Sequence, residues 1–155
     1  MNKKLLGSCL ALVLGAGAGY ALDALAQAKP DVLVKQRQAA MTLQGKYFYG
    51  QLSPMARGKI PYDASVVVRN AAFLDALIKM PWDGFAPSTK GVQSAALPAI
   101  YEQPAKFKEA QERAQAEIAK LVTISKGGDE AAVKAQIVAV NKACGGCHEE
   151  FREKQ

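Results

Sequence analysis

Apolar residues recur along the chain at intervals of three and four positions, in four segments that begin near Asp31. Spacing of this kind places the apolar side chains on one face of an α-helix. The first two segments run from about Asp31 to Leu52 and from about Asp63 to Met80. Their predicted inward positions are Val34, Arg37, Met41, Gln44, Phe48 and Leu52 in the first, and Val66, Asn70, Phe73, Leu77 and Met80 in the second.

The last two segments run from about Pro104 to Ser125 and from Asp129 towards the C-terminus. Two cysteines lie on the same predicted face as the apolar residues of the last segment, so this face contains reactive thiols as well as core residues. The predicted inward positions are Phe107, Ala110, Ala114, Ile118 and Leu121 in the third segment, and Val133, Ile137, Val140, Cys144, Cys147 and Phe151 in the fourth.

The ends of these segments carry ordinary helix signals. Asp63 is a predicted N-cap, Pro104 suits a first helical turn, and Gly127–Gly128 is a predicted C-terminal stop. Short connections within each half predict antiparallel neighbours, and no convincing strand is present. The sequence therefore predicts an all-α, four-helix bundle. The connection Pro81 to Gln103 is long for a small bundle, which favours a functional role for it.

Residues Met1 to Ala26 have the pattern of a cleaved signal peptide. Lys3 and Lys4 precede an apolar run, and Ala24-Leu25-Ala26 matches a small-residue cleavage site. A retained membrane anchor is the competing interpretation, disfavoured because the segment is short, glycine-rich and carries Asp23. We therefore expect removal of residues 1–26, with cleavage after Ala28 as the alternative. The mature bundle is then residues 27–155, and we expect its export to the periplasm.

Composition excludes some function classes. The 155-residue chain has a formal net charge of +6, but its basic residues are interleaved with acids along the helical segments. This pattern is typical of solvated helix faces rather than of a nucleic-acid interface, so no nucleic-acid partner is expected. The mild positive charge would favour an acidic protein partner.

The stretch Cys144-Gly145-Gly146-Cys147-His148 is the strongest chemical signal in the sequence. Cys-x-x-Cys-His is the attachment signature of a c-type heme. On a helix the two thiols and the imidazole share one face, so the thiols can bond one porphyrin while the imidazole binds its iron. His148 is the only histidine in the chain. We expect one covalently bound heme c, with its iron, built into the bundle interior.

Three other kinds of site use a pair of cysteines. A thioredoxin-like dithiol would lie at a helix N-terminus after a strand, and no strand precedes this pair. A zinc site would need a second pair of ligands. A structural disulfide would close a very short loop. Each is weaker than the heme interpretation.

The chain resembles the cytochrome c prime family, the class II c-type cytochromes. A C-terminal heme signature on the last of four helices behind a leader is one part of the resemblance. The matching stretches are Lys29-Pro30-Asp31, Arg37 to Leu43, Pro61-Tyr62-Asp63-Ala64, Met80-Pro81-Trp82, Phe85-Ala86-Pro87 and Cys144 to Arg152. The resemblance covers the mature chain, and it implies the up-down-up-down topology that this family exemplifies.

The resemblance also implies roles for single residues. Cys144 and Cys147 would carry the thioethers and His148 would be the axial iron ligand. Arg37 and Gln38 would lie beside a heme propionate. The loop from Trp82 to about Gln93 would cover a heme edge, with Gln93 a heme contact. Arg152 matches a basic position near the proximal face; as a plain surface residue it would be a helix C-terminal cation.

Met41 falls where family members keep a bulky residue over the open face of the iron. High-spin members pack it there without bonding, whereas low-spin relatives use a methionine from the same helix as sixth ligand. The stretch from Arg37 to Leu43 resembles the high-spin members, so five-coordinate iron is favoured. The alternative is a low-spin cytochrome with His148 and Met41 as ligands, acting purely as an electron carrier.

Two function classes therefore follow from the resemblance: electron transfer with periplasmic redox proteins, and binding of a small diatomic gas such as nitric oxide or carbon monoxide. No enzyme activity is expected, because Met41 and its apolar neighbours offer no distal acid or base. Relatives are often homodimers built on the first two helices, so a homodimer is expected, with Tyr47 and Tyr49 as interface candidates.

Overall fold

The structure, a computed structural model, describes residues 28–154. The predicted signal peptide lies outside the described residues. Within them the fold is all-α, with two 3-10 turns, Trp82–Phe85 and Pro87–Thr89. The helices are α1 (Pro30–Tyr47), α2 (Ser53–Ala56), α3 (Ala64–Leu77), α4 (Ala99–Glu102), α5 (Pro104–Ser125) and α6 (Glu130–Phe151), and a π-helical turn, Phe48–Leu52, joins α1 to α2. None of these helices is both long and apolar enough to cross a membrane.

Helices α1 and α3 form an antiparallel pair. Gln44 Nε2 donates to the carbonyl oxygen of Leu77 at 3.1 Å, and Asn70 Nδ2 donates to Gln51 Oε1 at 2.7 Å. Residues later in α1 and the π turn therefore contact residues earlier in α3. The predicted antiparallel arrangement of this half is confirmed.

Helices α5 and α6 form the second antiparallel pair. Lys106, near the start of α5, makes an ion pair with Glu150 near the end of α6. Nearer the middle, Gln136 Nε2 donates to the carbonyl oxygen of Glu117 at 2.9 Å. The four long helices thus form the predicted four-helix bundle.

The predicted ends of the helices are confirmed where local chemistry sets them. Asp63 Oδ1 accepts hydrogen bonds from the amides of Ser65 and Val66 at 2.9 and 3.1 Å. Asp129 caps α6 in the same way. Gly128 has a φ of 76°, the left-handed conformation that ends α5 at little cost in a glycine.

The buried face of α3 differs from the predicted one. Phe73 and Met80 are 42% and 59% exposed, and the helix ends at Leu77 instead of Met80. The buried residues are Val67, Asn70, Ala71, Leu74 and Leu77. Apolar side chains lie nearly all round this helix, so the sequence pattern does not single out one face. Phe73 packs instead against Tyr47 of α1, with ring centroids 5.0 Å apart.

The core lies between all four long helices. Leu52, Leu74, Leu121, Val133 and Ile137 are at most 1% exposed. A second cluster of apolar residues lies under the long connection and contains Ile100, Phe107 and Phe151. The two clusters flank the site described next.

Candidate functional site

A cavity of about 370 Å³ opens between α1, the long connection, α5 and α6. This volume is within the usual range for ligand pockets in proteins. The walls are mainly apolar, and none of the described residues that line them is a carboxylate. They include Met41, Phe48, Leu74, Ile78, Trp82, Phe85, Ile100, Phe107, Ile118, Val140 and Phe151, together with the polar residues Arg37, Gln38, Ser94, Tyr49, Cys144, Cys147, His148 and Arg152.

The cysteines and the histidine of the last helix all line this cavity. They share one face of α6 because they lie three and four residues apart. All three are half-buried, and the two sulfurs are not bonded to each other. The sequence predicts that both cysteines lie on the inward face of the last helix. In the structure both line the cavity from that face.

Burial sets the protonation of these groups. It raises the pKa of Cys144 to about 11, with a further contribution from neighbouring Cys147. Burial also raises the pKa of Cys147 and lowers that of His148, which is lowered further by the positive charge of Arg152. His148 is therefore held as a neutral imidazole at neutral pH, which is the form that binds a metal.

Arg37 provides a buried positive charge at another part of the wall. It is only 4% exposed. Its Nη2 donates to Ser94 Oγ at 2.9 Å and its Nη1 to the carbonyl oxygen of Gly84, while the guanidinium carbon lies 4.4 Å from the centroid of the Phe85 ring. Burial lowers its pKa. All these partners are neutral, so the charge is left without a counter-ion among the described residues.

A second unsatisfied group lies in the same wall. The indole Nε1 of Trp82 is buried and has no hydrogen-bond partner among the described residues. Buried donors are nearly always paired in native proteins, so an orphaned one requires an explanation. A ligand carboxylate entering the cavity would supply an acceptor for Trp82 and a charge for Arg37.

The donor set fits a covalently held heme. The cavity offers two thiols, one neutral imidazole, an apolar interior and a buried cation. A porphyrin supplies the complementary parts: two groups that react with thiols, an iron with an open axial position, an apolar ring and two carboxylates. The residues present therefore agree with the group that the sequence predicts.

Met41 lines the cavity from α1 and is half-buried. Other residues of the cavity wall on α1 include Arg37, Gln38 and Gln44, each within about one helical turn of Met41 in the sequence. Thr42, the adjacent hydroxyl residue, donates to the carbonyl oxygen of Gln38 at 2.9 Å, so its hydroxyl hydrogen is engaged on its own helix.

The remaining predicted site residues divide into two groups. Gln38 lines the cavity although it is exposed, as does Arg152. Gln93 is exposed and is not part of the wall; Ser94, one position later, lines it and accepts the hydrogen bond from Arg37. Ser94 was not predicted from the sequence, because it lies in no motif that indicates its role. Tyr49, predicted only as an interface candidate, also lines the cavity.

Comparisons with known proteins show the family to which the chain is similar. The family model described as Cytochrome C′ matches residues 32–152. The cytochrome c′ of Rubrivivax gelatinosus is 40% identical over 127 residues, covering 81% of this chain and 98% of the relative. Its crystal structure matches with a TM-score of 0.76 over the same shares of the two chains. The nitric oxide complex of a variant of cytochrome c prime from Alcaligenes xylosoxidans also matches with a TM-score of 0.76, at 36% identity, over 83% of this chain and 99% of that one.

Proposed function

The chain belongs to the cytochrome c′ family of c-type cytochromes, and we propose that it is a periplasmic protein with one covalent heme c and five-coordinate iron. Its proposed role is electron transfer, binding of a small gas such as nitric oxide or carbon monoxide, or both. The observation that carries the proposal is the cavity itself. It brings the only histidine of the chain and both thiols to one apolar space with an uncompensated arginine.

When bound, the heme iron supplies a one-electron redox centre and an axial position for a diatomic ligand. The protein supplies everything around it. Cys144 and Cys147 hold the ring through thioethers, and His148 offers its neutral imidazole to the iron. Arg37 and Trp82 would hold the heme carboxylates.

The side chain of Met41 would determine which ligands can reach the heme iron. Its bulk would exclude large ligands, and no carboxylate for acid–base chemistry is present among the described residues of the wall. This surrounding supports reversible binding of a small neutral molecule and electron exchange in preference to catalytic turnover. The nitric oxide complex of the Alcaligenes xylosoxidans relative supports the same interpretation.

A low-spin electron carrier is the second candidate. Met41 and His148 line the same cavity from α1 and α6, so a thioether is available to serve as sixth ligand. Methionine ligation would stabilise reduced iron and raise the reduction potential, but would close the position that a gas needs.

The deciding experiment is a mass spectrum and a visible spectrum of the exported protein. We expect the mass of the chain without residues 1–26 plus one heme, resistant to acid–acetone extraction. We also expect a high-spin spectrum in both oxidation states and a shift on addition of carbon monoxide. An unmodified mass in a host that matures c-type cytochromes would overturn the heme proposal. A low-spin oxidised spectrum would select the second candidate.

A homodimer through α1 and α3 is part of the proposal. Val32, Leu43, Phe73 and Met80, on or next to these helices, are more than a third exposed. If these residues form one contiguous apolar patch, that patch would favour association with a second copy of the chain. Sedimentation of the heme-loaded protein at several concentrations tests this, and a monomer at all of them would contradict it.

A further inference from the structure

A buried group of hydroxyls lies behind Arg37, on the side of the long connection. Thr89 is only 2% exposed, and its Oγ1 lies 2.7 Å from the carbonyl oxygen of Ala86, 3.1 Å from that of Gly84 and 2.9 Å from the hydroxyl of Tyr101. The carbonyl of Gly84 is the same one that accepts from Arg37. The hydroxyls therefore connect to the cation of the cavity wall through a shared acceptor.

The direction of these hydrogen bonds follows from the chemistry of the groups. Carbonyl oxygens only accept, so the single hydroxyl hydrogen of Thr89 points to Ala86 or Gly84. Tyr101 must then donate its hydrogen to Thr89. Burial lowers the pKa of Arg37, and the nearby Tyr101 raises it.

The backbone at Gly84 makes the arrangement tight. A Cβ at this position would lie 2.5 Å from the Cβ of Arg37 and 2.8 Å from the carbonyl oxygen of Leu33. The 3-10 turn therefore rests directly on α1, and the hydroxyl of Thr89, which contacts the carbonyls of Gly84 and Ala86, supports the turn whose Gly84 carbonyl accepts from the guanidinium. Two of the five N–H groups of Arg37 bond to Gly84 and Ser94, which leaves three for other acceptors.

We propose that Thr89 and Tyr101 are positioning residues that hold Arg37 in a fixed orientation with its charge directed at the heme carboxylates. The inference rests on the proposed heme site but concerns residues that lie outside the cavity wall. Removing either hydroxyl would leave the cavity lining unchanged in composition and would alter only the support of Arg37. Replacing Thr89 by Val would also free the Tyr101 hydrogen to turn towards the guanidinium, which is unfavourable for a cation.

The test compares Thr89→Val and Tyr101→Phe with Thr89→Ser, which keeps the hydroxyl, and with Arg37→Gln. The readout is the midpoint reduction potential of the heme-loaded protein. A buried positive charge favours the reduced state, so we expect Arg37→Gln to lower the potential. Thr89→Val and Tyr101→Phe should lower it in the same direction by a smaller amount, and Thr89→Ser should remain near the wild type.

Double variants separate positioning from plain stabilisation. If the hydroxyls act through Arg37, adding Thr89→Val or Tyr101→Phe to Arg37→Gln should cause no further change in potential. Wild-type potentials in both single variants, or shifts that simply add to that of Arg37→Gln, would overturn the inference. If Thr89→Val fails to fold, Tyr101→Phe decides alone. Failure of the wild-type chain to take up heme would instead contradict the proposed function.

Discussion

The side chain of Asn70, which is completely buried, donates a hydrogen bond of 2.7 Å to Gln51 in the π-helical turn. A π turn inserts one extra residue into a helix and is common at functional sites. Here the turn contains Phe48 and Tyr49, two residues of the cavity wall. Asn70 therefore connects the packing of α3 to the shape of the cavity.

Replacing Asn70 by Ala should lower the free energy of unfolding by about 1–3 kcal/mol, because it leaves the Gln51 carbonyl without its partner and removes packed atoms. Denaturant unfolding of the heme-loaded protein measures this. Gln36→Ala, at an exposed position of α1, is the control and should stay within about 0.5 kcal/mol of the wild type. Equal effects of the two substitutions would show that the buried hydrogen bond contributes nothing.

Gly84 is required because a larger side chain would overlap its neighbours, and not because of its backbone angles. A methyl group there would overlap Arg37 and the backbone of Leu33, so Gly84→Ala should displace the 3-10 turn from α1. We expect a lower melting temperature and increased hydrogen exchange in residues 82–89. Gly127→Ala is the matched control, because its nearest atom would lie at an ordinary 3.4 Å. Identical melting temperatures for both variants would contradict the close approach.

The N-cap of α3 makes the free energy of unfolding depend on pH. Hydrogen bonds from the Ser65 side chain and from the amide of Val66 lower the pKa of Asp63 below its ordinary value of 3.8. Because the pKa of Asp63 is lower in the folded than in the unfolded state, the ionised carboxylate stabilises the fold fully at pH values above its ordinary pKa. This stabilisation is lost as the pH falls through the pKa of the folded state. Asp63→Asn keeps a capping group without a titrating one. The stability advantage of the wild type over Asp63→Asn should therefore shrink as the pH falls from about 5 to about 3; a constant difference would contradict the assignment.

The sequence predicted those parts of the fold that local chemistry decides. Asp63, Pro104 and Asp129 begin helices because their side chains or rings suit a first turn, whatever surrounds them. The buried face of α3 was predicted wrongly in part: Phe73 is apolar but lies at the edge of the α1–α3 contact, and only the partner helix decides which apolar face is covered.

The site divides in the same way. Cys144, Cys147 and His148 were found because their chemistry requires one spacing. Ser94 was missed because the long connection has no periodicity, so nothing in the sequence says which of two adjacent polar residues faces Arg37. The π turn was missed as well, because one inserted residue shifts the apolar period without any characteristic residue type.

Met41 offers the sharpest test of the two candidate functions, because leucine provides a control of similar bulk without a ligand atom. If the thioether only packs over the iron, Met41→Leu should keep the high-spin spectrum and the carbon monoxide binding rate of the wild type. Met41→Ala should then speed carbon monoxide binding to the reduced protein by roughly tenfold or more, since the displaced bulk accounts for about 1–3 kcal/mol of the barrier. Stopped-flow absorbance measures both rates. If Met41 instead binds the iron, the wild type is low-spin, and Met41→Leu should already convert it to high-spin and speed carbon monoxide binding, because it removes the competing ligand while keeping the bulk. The comparison of the wild type with Met41→Leu therefore distinguishes steric exclusion from ligation.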